Sequence, residues 1–353
     1  MADAAIFTFS KRGPLFRLLS IVPPAEEWYS HGAALTQQLT SATTTPTTTP
    51  TTTPTTTPTT TPTTTLDLLQ DPVLASRIFH FYLPIFFWCR TIVKQARQTH
   101  PNRAVGIGLS AVQGCGKTTL VNLLTDCFKR DGLVCANVSY DDFYLTGTEQ
   151  DAVADRYKAN PLLQVRGNAG THDLGLGTGT LKALLNRECN VLIPRYDKSA
   201  RGGRGDRGVK STWAMQAESA DVVLLEGWMA GFEALPMTEA TRARKEEKDS
   251  EDMPTKHIQE INQLLQQYTE WHDQMNYWIV VGIDDVNHVY RWRLEAEHAM
   301  KKTGRDGMSD EQVHDFVSRY MPAYRTYLPG LYASSEKKEE VLMVKVGGDR
   351  QVL

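Results

Sequence analysis

The sequence is poor in cysteine, with five in 353 residues and no C-x-x-C pair among them. An odd number of widely spaced cysteines predicts neither a disulfide framework nor a zinc site. We therefore expect free thiols and a reducing compartment. The five residues are Cys89, Cys115, Cys127, Cys135 and Cys189.

The chain also has little excess charge and no long uninterrupted apolar run. Its formal net charge is −3 at pH 7, which gives no reason to expect nucleic acid as a partner. The most apolar window, 73–93, contains Arg77, His80, Pro84 and Arg90, so it is too polar to span a bilayer. We expect two helices that meet near Pro84 and pack on the core, and no membrane association.

Two N-terminal segments carry no clear core pattern. Residues 1–42 show no strong hydrophobic period, and basic residues interrupt the apolar ones, which argues against a signal peptide. We expect this extension to be poorly ordered. Residues 43–65 repeat Thr-Thr-Thr-Pro and lack core-forming side chains, which predicts a disordered, extended linker. The compact domain is then expected over 66–353.

A small-residue loop stands between a strand pattern and a helix pattern. The apolar run ends at Leu109, the loop contains Gly114 and Gly116, and Lys117 and Thr118 open the helical stretch. Glycine lets the backbone bend tightly and point successive N–H groups at an anion, and the start of a helix adds its positive end. This is the context that a phosphate-binding loop (P-loop) requires.

The phosphate-loop pattern predicts a role for each of its residues. We expect Lys117 to reach the β- and γ-phosphates of a nucleotide and the Thr118 hydroxyl to bind Mg²⁺. One position departs from the pattern G-x-x-x-x-G-K-[ST], because Ala111 stands where glycine is usual. The nucleotide contacts are assigned to Gln113, Gly114, Cys115, Gly116, Lys117, Thr118 and Thr119.

The remaining apolar runs predict an α/β protein with a P-loop NTPase fold. Strands are predicted over 104–109, 133–140, 221–227, 277–283 and 341–346, and a further strand over 191–198. Because these runs alternate with helical patterns and are continuously apolar, we expect a mainly parallel five-stranded sheet with helices on both faces, plus helical additions. The carboxyl ends of the strands then meet at one edge, where ligands bind.

Acids and cations suited to phosphoryl transfer follow these strands. Glu226 is a candidate for the metal or its water shell, and Asp141 or Asp142 for the base near an acceptor hydroxyl. A helix N-cap is the alternative role for the two aspartates. Candidate cations for the transferred phosphoryl group are Arg195, Lys198, Arg204, Arg291 and Arg293. A GTPase is disfavoured because we find neither [NT]-K-x-D nor D-x-x-G.

Several longer motifs together carry a resemblance. They occupy 110–119, 141–144, 166–173, 193–199, 203–207, 225–229, 290–294 and 316–320. Over about residues 70–350 the chain resembles the D-glycerate 3-kinase family of plants and fungi, within a wider group similar to phosphoribulokinase, uridine kinase and pantothenate kinase. Ala111 matches that family as well.

The resemblance implies the reaction ATP + D-glycerate → ADP + 3-phosphoglycerate, with ATP and Mg²⁺ as cofactors. It implies that Asp141 is the general base. Independently of the resemblance, Arg291 and Arg293 on a predicted helix are candidates for a catalytic lid, with a solvated helix face as the alternative. Acceptor-site candidates are Asp142, Tyr144, His172, Asp173, Arg195, Tyr196, Lys198 and Arg204, although Asp173 could instead fix its loop.

Two other functions stay open. One is a nucleoside or pantothenate-type kinase, and the other is an ATP-binding regulatory protein on the same fold. A cytoplasmic location is expected, and organelle import stays open, although Asp3, Glu26 and Glu27 are unusual for a transit peptide.

Overall fold

The computed structural model describes residues 2–44, 68–236, 255–302, 304 and 307–353. At its centre is a five-stranded sheet in the order β2-β7-β1-β8-β9, and every neighbouring pair is parallel. The strands are β1 Val105–Ala111, β2 Cys135–Ser139, β3 Val191–Ile193, β4 Tyr196–Asp197, β5 Asp206–Arg207, β6 Ala214–Gln216, β7 Val222–Gly227, β8 Tyr277–Ile283 and β9 Val341–Val346.

Helices connect and cover these strands. They are α1 Ala2–Ser10, α2 Ala25–Thr44, α3 Pro72–Thr99, α4 Lys117–Arg130, α5 Gly147–Arg156, α6 Leu174–Leu185, α7 Thr255–Leu265, α8 Thr269–His272, α9 His288–Lys302, α10 Asp310–Ser318 and α11 Met321–Ser335. All seven residues of β1 are buried, as expected for a central parallel strand covered on both faces. The predicted α/β fold is therefore confirmed.

The strand register brings the predicted site to one edge of the sheet. Glu226 in β7 is level with Leu109 of β1 on one side and Ser139 of β2 on the other. The loop that follows β1 and the turn that follows β2 therefore begin beside Glu226. This is the carboxyl edge, where the helix-flanked strands of α/β proteins present their ligand sites.

The prediction of a poorly ordered extension over 1–42 is wrong. Helices α1 and α2 cover much of this segment and pack on α3, with Ile6, Trp28 and Leu35 at most 1% exposed. The apolar residues are too irregularly spaced to give a visible period, yet they bury a continuous surface. The Thr/Pro repeat lies outside the described residues, except for Thr43 and Thr44 at the end of α2.

The two helices expected to meet near Pro84 are joined in one continuous helix, α3, from Pro72 to Thr99, and the helix type changes at Leu83. Residues Arg77–Tyr82 form a π-helical segment, in which the Leu83 N–H bonds the Ile78 carbonyl. Pro84 follows directly, where the hydrogen-bond register changes, so its missing N–H interrupts no regular ladder. By length and composition α3 could cross a membrane, but 61% of its apolar window is buried, as in a core helix.

The strand predicted over 191–198 is divided in the structure. β3 pairs with β6, whereas β4 pairs with β5, in two separate two-stranded sheets. Pro194 separates them, because it has no N–H to donate to a continuing ladder. Residues 238–257 are rich in charged side chains, a pattern that predicts an exposed insertion. They lie largely outside the described residues, which resume at residue 255 in α7.

Candidate active site

The phosphate loop spans the five positions between the end of β1 at Ala111 and the start of α4 at Lys117. Gly114 and Gly116 have φ angles of 82° and 96°, a left-handed region that favours glycine. A Cβ atom on Gly114 would also lie 2.7 Å from the Trp292 Cβ atom. By contrast, a Cβ atom on Gly116 would have no atom within 4 Å, so only its backbone conformation demands glycine. Gly116 is the N-cap residue of α4.

Two side chains form hydrogen bonds to the same peptide unit of this loop. Lys117 Nζ donates to the Val112 carbonyl oxygen at 3.2 Å, and the Gln113 N–H donates to the Tyr324 hydroxyl oxygen at 3.0 Å. Tyr324 is fully buried. The carbonyl and the N–H of the 112–113 peptide therefore both have partners before any anion binds, and Lys117 already lies over the loop.

The two aspartates follow β2 in a short 3₁₀ turn, Tyr140–Phe143, and have different partners. Asp142 Oδ2 accepts from the Ser139 N–H at 3.0 Å and pairs with Arg195 NH1 at 3.1 Å. Asp142 therefore caps its own turn and forms an ion pair with an arginine. Burial raises the pKa of Asp142 above its ordinary value, although Ser139 and Arg195 oppose this.

Asp141 faces the cations of the site. Its Oδ2 atom lies 2.5 Å from Lys198 Nζ. Burial acts to raise the pKa of Asp141, but Lys198, the Tyr144 hydroxyl and Lys117 together hold it below the ordinary value. Asp141 is therefore a carboxylate over a wide pH range and lies electrostatically coupled to the phosphate-loop lysine.

Glu226 supplies a third carboxylate beside the loop. Its Oε1 atom accepts from the Ser139 hydroxyl at 2.9 Å, and no described Lys, Arg or His forms a salt bridge with it. Mg²⁺ in nucleotide sites uses one or two carboxylates, a hydroxyl, phosphate oxygens and water. Thr118, at the start of α4, and Glu226 fit that donor set. No group of three His, Cys, Asp or Glu in the described ranges forms a metal cluster.

Tyr144 and His172 form an aromatic wall next to Asp141. Their rings are stacked with centroids 4.5 Å apart, and the Tyr196 ring meets Tyr144 edge-on at 5.2 Å. His172 Nδ1 lies 2.6 Å from the Tyr268 hydroxyl, and burial lowers the pKa of His172 to about 3. The imidazole is therefore neutral at physiological pH.

Asp173 has a structural position. It caps α6 by accepting from the Leu176 N–H at 3.0 Å, and it pairs with Arg207 at 3.1 Å. Arg207 also donates to the Tyr144 carbonyl oxygen at 2.9 Å. The alternative in which Asp173 fixes its loop therefore matches its contacts. Arg207, which binds both segments of the wall, was within a noted motif but not among the site candidates.

The cations divide into two groups. Arg195 and Lys198 contact the two aspartates, whereas Arg204 NH2 pairs with Asp151 at 2.7 Å and leaves half of its side chain exposed. The structure therefore brings the first two to the aspartates, while Arg204 is engaged elsewhere.

Arg291 and Arg293 on α9 do not contact the phosphate loop. Arg293 pairs at 2.8 Å with Glu297, which is 2% exposed, and Arg291 donates to the Gly348 carbonyl oxygen. Their lid role stays a prediction. An arginine that does hydrogen-bond the loop is Arg350, whose Nε donates to the Gly114 carbonyl oxygen at 2.9 Å. No sequence motif drew attention to it.

A scan against protein-family models finds no match, but the chain is similar to individual known proteins. The chain is 42% identical over 289 residues to the chloroplastic D-glycerate 3-kinase of Arabidopsis thaliana, covering 78% of this chain and 60% of that protein's length. It is 34% identical to the probable ATP-dependent kinase TDA10 of Saccharomyces cerevisiae, covering 69% of this chain and 84% of that protein.

A solved structure extends the similarity. The D-glycerate 3-kinase of Cryptococcus neoformans superposes with a TM-score of 0.67 at 33% identity, covering 76% of this chain and 97% of that one. Identity above 30% over nearly the whole of a solved relative, on the same fold and with a phosphate loop in place, identifies the family. This chain belongs to the D-glycerate 3-kinase family of ATP-dependent P-loop kinases.

Proposed function

We propose that this protein transfers the γ-phosphoryl group of ATP to the 3-hydroxyl group of D-glycerate. The observation that carries the proposal is Asp141, an ionised carboxylate beside Lys198 and coupled to Lys117 at the phosphate loop. A carboxylate that stays deprotonated next to bound phosphates can accept the proton of an attacking alcohol.

In the proposed reaction the backbone N–H groups of the loop and Lys117 bind the β- and γ-phosphates. Asp141 accepts the hydroxyl proton as the acceptor oxygen bonds to the γ-phosphorus and the bond to the β-phosphate oxygen breaks. Thr118 and Glu226 would hold Mg²⁺, which neutralises charge on the phosphates. Lys198 stabilises negative charge near the transferred group and orients Asp141.

A small carboxylate such as glycerate suits the surroundings of Asp141. Arg195 and Lys198 provide cations that can bind a carboxylate group. Tyr144, His172 and Tyr196 add an aromatic wall, and a small acceptor could lie between this wall and the phosphate loop. Asp142 is proposed to hold Arg195 in position rather than to take part in proton transfer, because it caps its own turn.

His172 offers the acceptor a hydrogen-bond donor. The Tyr268 hydroxyl accepts from the Gly170 N–H at 3.0 Å, and its own hydrogen has only His172 Nδ1 as an acceptor among the described residues. Since the ring is neutral, its hydrogen is then on Nε2. That atom is buried and without a partner in the described part of the chain. An unpaired buried donor costs about 1–3 kcal/mol, which a substrate oxygen would recover.

The proposal is tested by measuring ADP release with D-glycerate, uridine and pantothenate, each with and without Mg²⁺. We expect magnesium-dependent turnover with D-glycerate. Turnover with uridine or pantothenate, but not with D-glycerate, would assign a different acceptor. ATP binding without turnover of any of the three compounds would indicate a regulatory protein. The five cysteines, all free in the structure, favour the cytoplasm as the location of this activity.

Paired variants test the base. Asp141→Asn keeps the size of the side chain but cannot accept a proton, so we expect kcat to fall about 10²–10⁴-fold while ATP affinity stays close to wild type. Asp142→Asn is the matched control and should act mainly on KM for the acceptor. If Asp142→Asn loses kcat and Asp141→Asn does not, the two roles are exchanged.

A further inference from the structure

The last residues of the chain fold back onto the phosphate loop. After β9, the Gly347 N–H donates to the Gln351 carbonyl oxygen at 2.9 Å, and the Arg350 N–H donates to the Gly347 carbonyl oxygen at 2.8 Å. Arg350 has φ 62°, in the left-handed region that costs a non-glycine residue about 1 kcal/mol or more. This C-terminal turn, residues 347–353, therefore holds Arg350 in an unusual backbone conformation.

The side chain of Arg350 is fixed by three contacts. Its Nε atom donates to the Gly114 carbonyl oxygen at 2.9 Å, and its NH1 atom lies 2.8 Å from Glu295 Oε2. The guanidinium group lies over the Trp292 ring, 4.9 Å from the centroid, and Trp292 itself packs against Gly114. Arg350 thus connects the phosphate loop to α9.

The bond to Gly114 has a consequence for the next N–H group. Gly114 O and the Cys115 N–H belong to one peptide unit, and no described peptide bond is cis. In a trans peptide the carbonyl and the N–H point in opposite directions. Because Arg350 holds the carbonyl on the side of α9, the Cys115 N–H faces the other way.

A second peptide of the loop, between Val112 and Gln113, is held through both of its polar groups. Its carbonyl accepts from Lys117 Nζ, while its N–H is held by the Tyr324 hydroxyl. Two residues distant in sequence, Tyr324 and Arg350, therefore fix two peptide planes of the loop from outside it. An anion-binding loop needs its N–H groups aligned before the anion arrives.

We propose that Arg350 is a positioning residue for nucleotide binding, which orients the Gly114–Cys115 peptide so that the Cys115 N–H donates to a nucleotide phosphate. This inference rests on the proposed function, because it requires phosphates at the loop. It assigns a role to a residue outside every motif of the sequence, and it makes the C-terminal turn part of the nucleotide site.

Calorimetric titration of the full chain with ATP, ADP and AMP tests this assignment. Loss of one charge-assisted hydrogen bond should weaken ATP and ADP binding to Arg350→Ala by about 10- to 100-fold. AMP lacks the β- and γ-phosphates and should lose less than about threefold. In kinetics, KM for ATP should rise while KM for the acceptor stays constant. Arg350→Lys keeps a donor and should recover part of the affinity.

Glu295→Gln is the control, because it removes the ion pair with Arg350 and leaves the bond to Gly114 in place. We expect its ATP affinity within about threefold of wild type. A folded Arg350→Ala protein that binds ATP like wild type would overturn the proposal, and so would an equal loss for ATP and acceptor. If Arg350→Ala does not fold, Arg350→Met takes its place, because methionine keeps much of the side-chain length but has no donor for the Gly114 carbonyl. Unchanged ATP affinity in folded Arg350→Met has the same consequence. Failure of wild type to bind ATP would instead refute the proposed function.

Discussion

The contacts at the two ends of α4 differ in how well the sequence predicts them. At its start, Gly116 and Lys117 belong to a loop whose residues lie within a few positions of one another. At its end, Asp131 lies 3.1 Å from His31, which comes from the N-terminal helices 100 residues earlier. A phosphate-binding loop requires particular residue types at a fixed spacing, whereas many different apolar residues can fill a buried helix contact. Only the first leaves a recognisable signature in a single sequence.

The contacts of the N-terminal helices are nevertheless those of a core. The Trp28 ring is fully buried and meets the Phe87 ring of α3 with centroids 4.7 Å apart. Gln38 donates to Asp126 of α4 at 2.5 Å, and Arg90 pairs with Glu27 and Asp131. The pair α1–α2 is therefore part of the kinase fold, and removing it would expose apolar surface on α3.

The largest effect on stability should come from Trp28→Ala. Truncating a buried tryptophan removes contacts with Phe16 and Phe87 and leaves a cavity, which costs about 3–5 kcal/mol. The free energy of unfolding from chemical denaturation should fall by that amount, while kcat per folded molecule changes little.

Trp28→Phe is the matched control. It keeps a ring in the site and removes an indole N–H that is buried without a partner in the described part of the chain. Its unfolding free energy should fall by much less than that of Trp28→Ala. Equal stability of Trp28→Ala and wild type would mean that α1–α2 is not part of the cooperative fold.

The next largest effect, on turnover, is expected at the start of α4. Lys117→Ala removes the cation expected on the β- and γ-phosphates, and loss of one such contact lowers kcat by about 10²–10³-fold. The unfolding free energy should stay near that of wild type, because the Lys117 contact to Val112 is a single bond in a ligand-binding loop.

Lys129→Ala, in the last turn of the same helix, provides the control. Its side chain is exposed and distant in sequence from the phosphate loop, so kcat should not change. Near-wild-type turnover of folded Lys117→Ala would refute the phosphate-loop assignment. The two pairs of variants thus separate the phosphate loop, where an effect on turnover is expected, from the N-terminal helices, where an effect on stability is expected.

This contrast explains which features the sequence could supply. The five central strands were predictable, because continuously buried strands require continuous apolar runs, and the motifs located the phosphate loop, Asp141 and Glu226. The N-terminal helices were missed because their buried residues have no clear period. The proline marked the change of helix type at Leu83, but the sequence did not show that a π-helical segment before it keeps α3 continuous.

Several contacts of the site could not be predicted from a single sequence for another reason. Tyr268, Tyr324 and Arg350 each form one or two hydrogen bonds to a loop that is far away in the chain. Nothing in the residues around them distinguishes such a tyrosine or arginine from an ordinary surface or core residue. Their roles depend on tertiary distance, which motif spacing does not encode.

The smallest predicted effect concerns the pH dependence of Asp141. Lys198 is the main influence that lowers the pKa of this carboxyl, against burial, which raises it. In Lys198→Met the cation is gone and the pKa of Asp141 should rise. The base is then protonated at higher pH, so the acid limb of the kcat profile should move to higher pH. The part of the loss at neutral pH that comes from protonation of Asp141 should be less than about fivefold, because the lysine is 59% exposed.

The shape of the profile separates this effect from substrate binding. If Lys198 only bound the acceptor carboxylate, its loss would raise KM at every pH and leave the acid limb of kcat in place. Arg195→Met is the comparison, since Arg195 pairs with Asp142 and should shift that limb much less. An acid limb that moves with Arg195→Met but not with Lys198→Met would identify Asp142, not Asp141, as the group whose ionisation controls turnover.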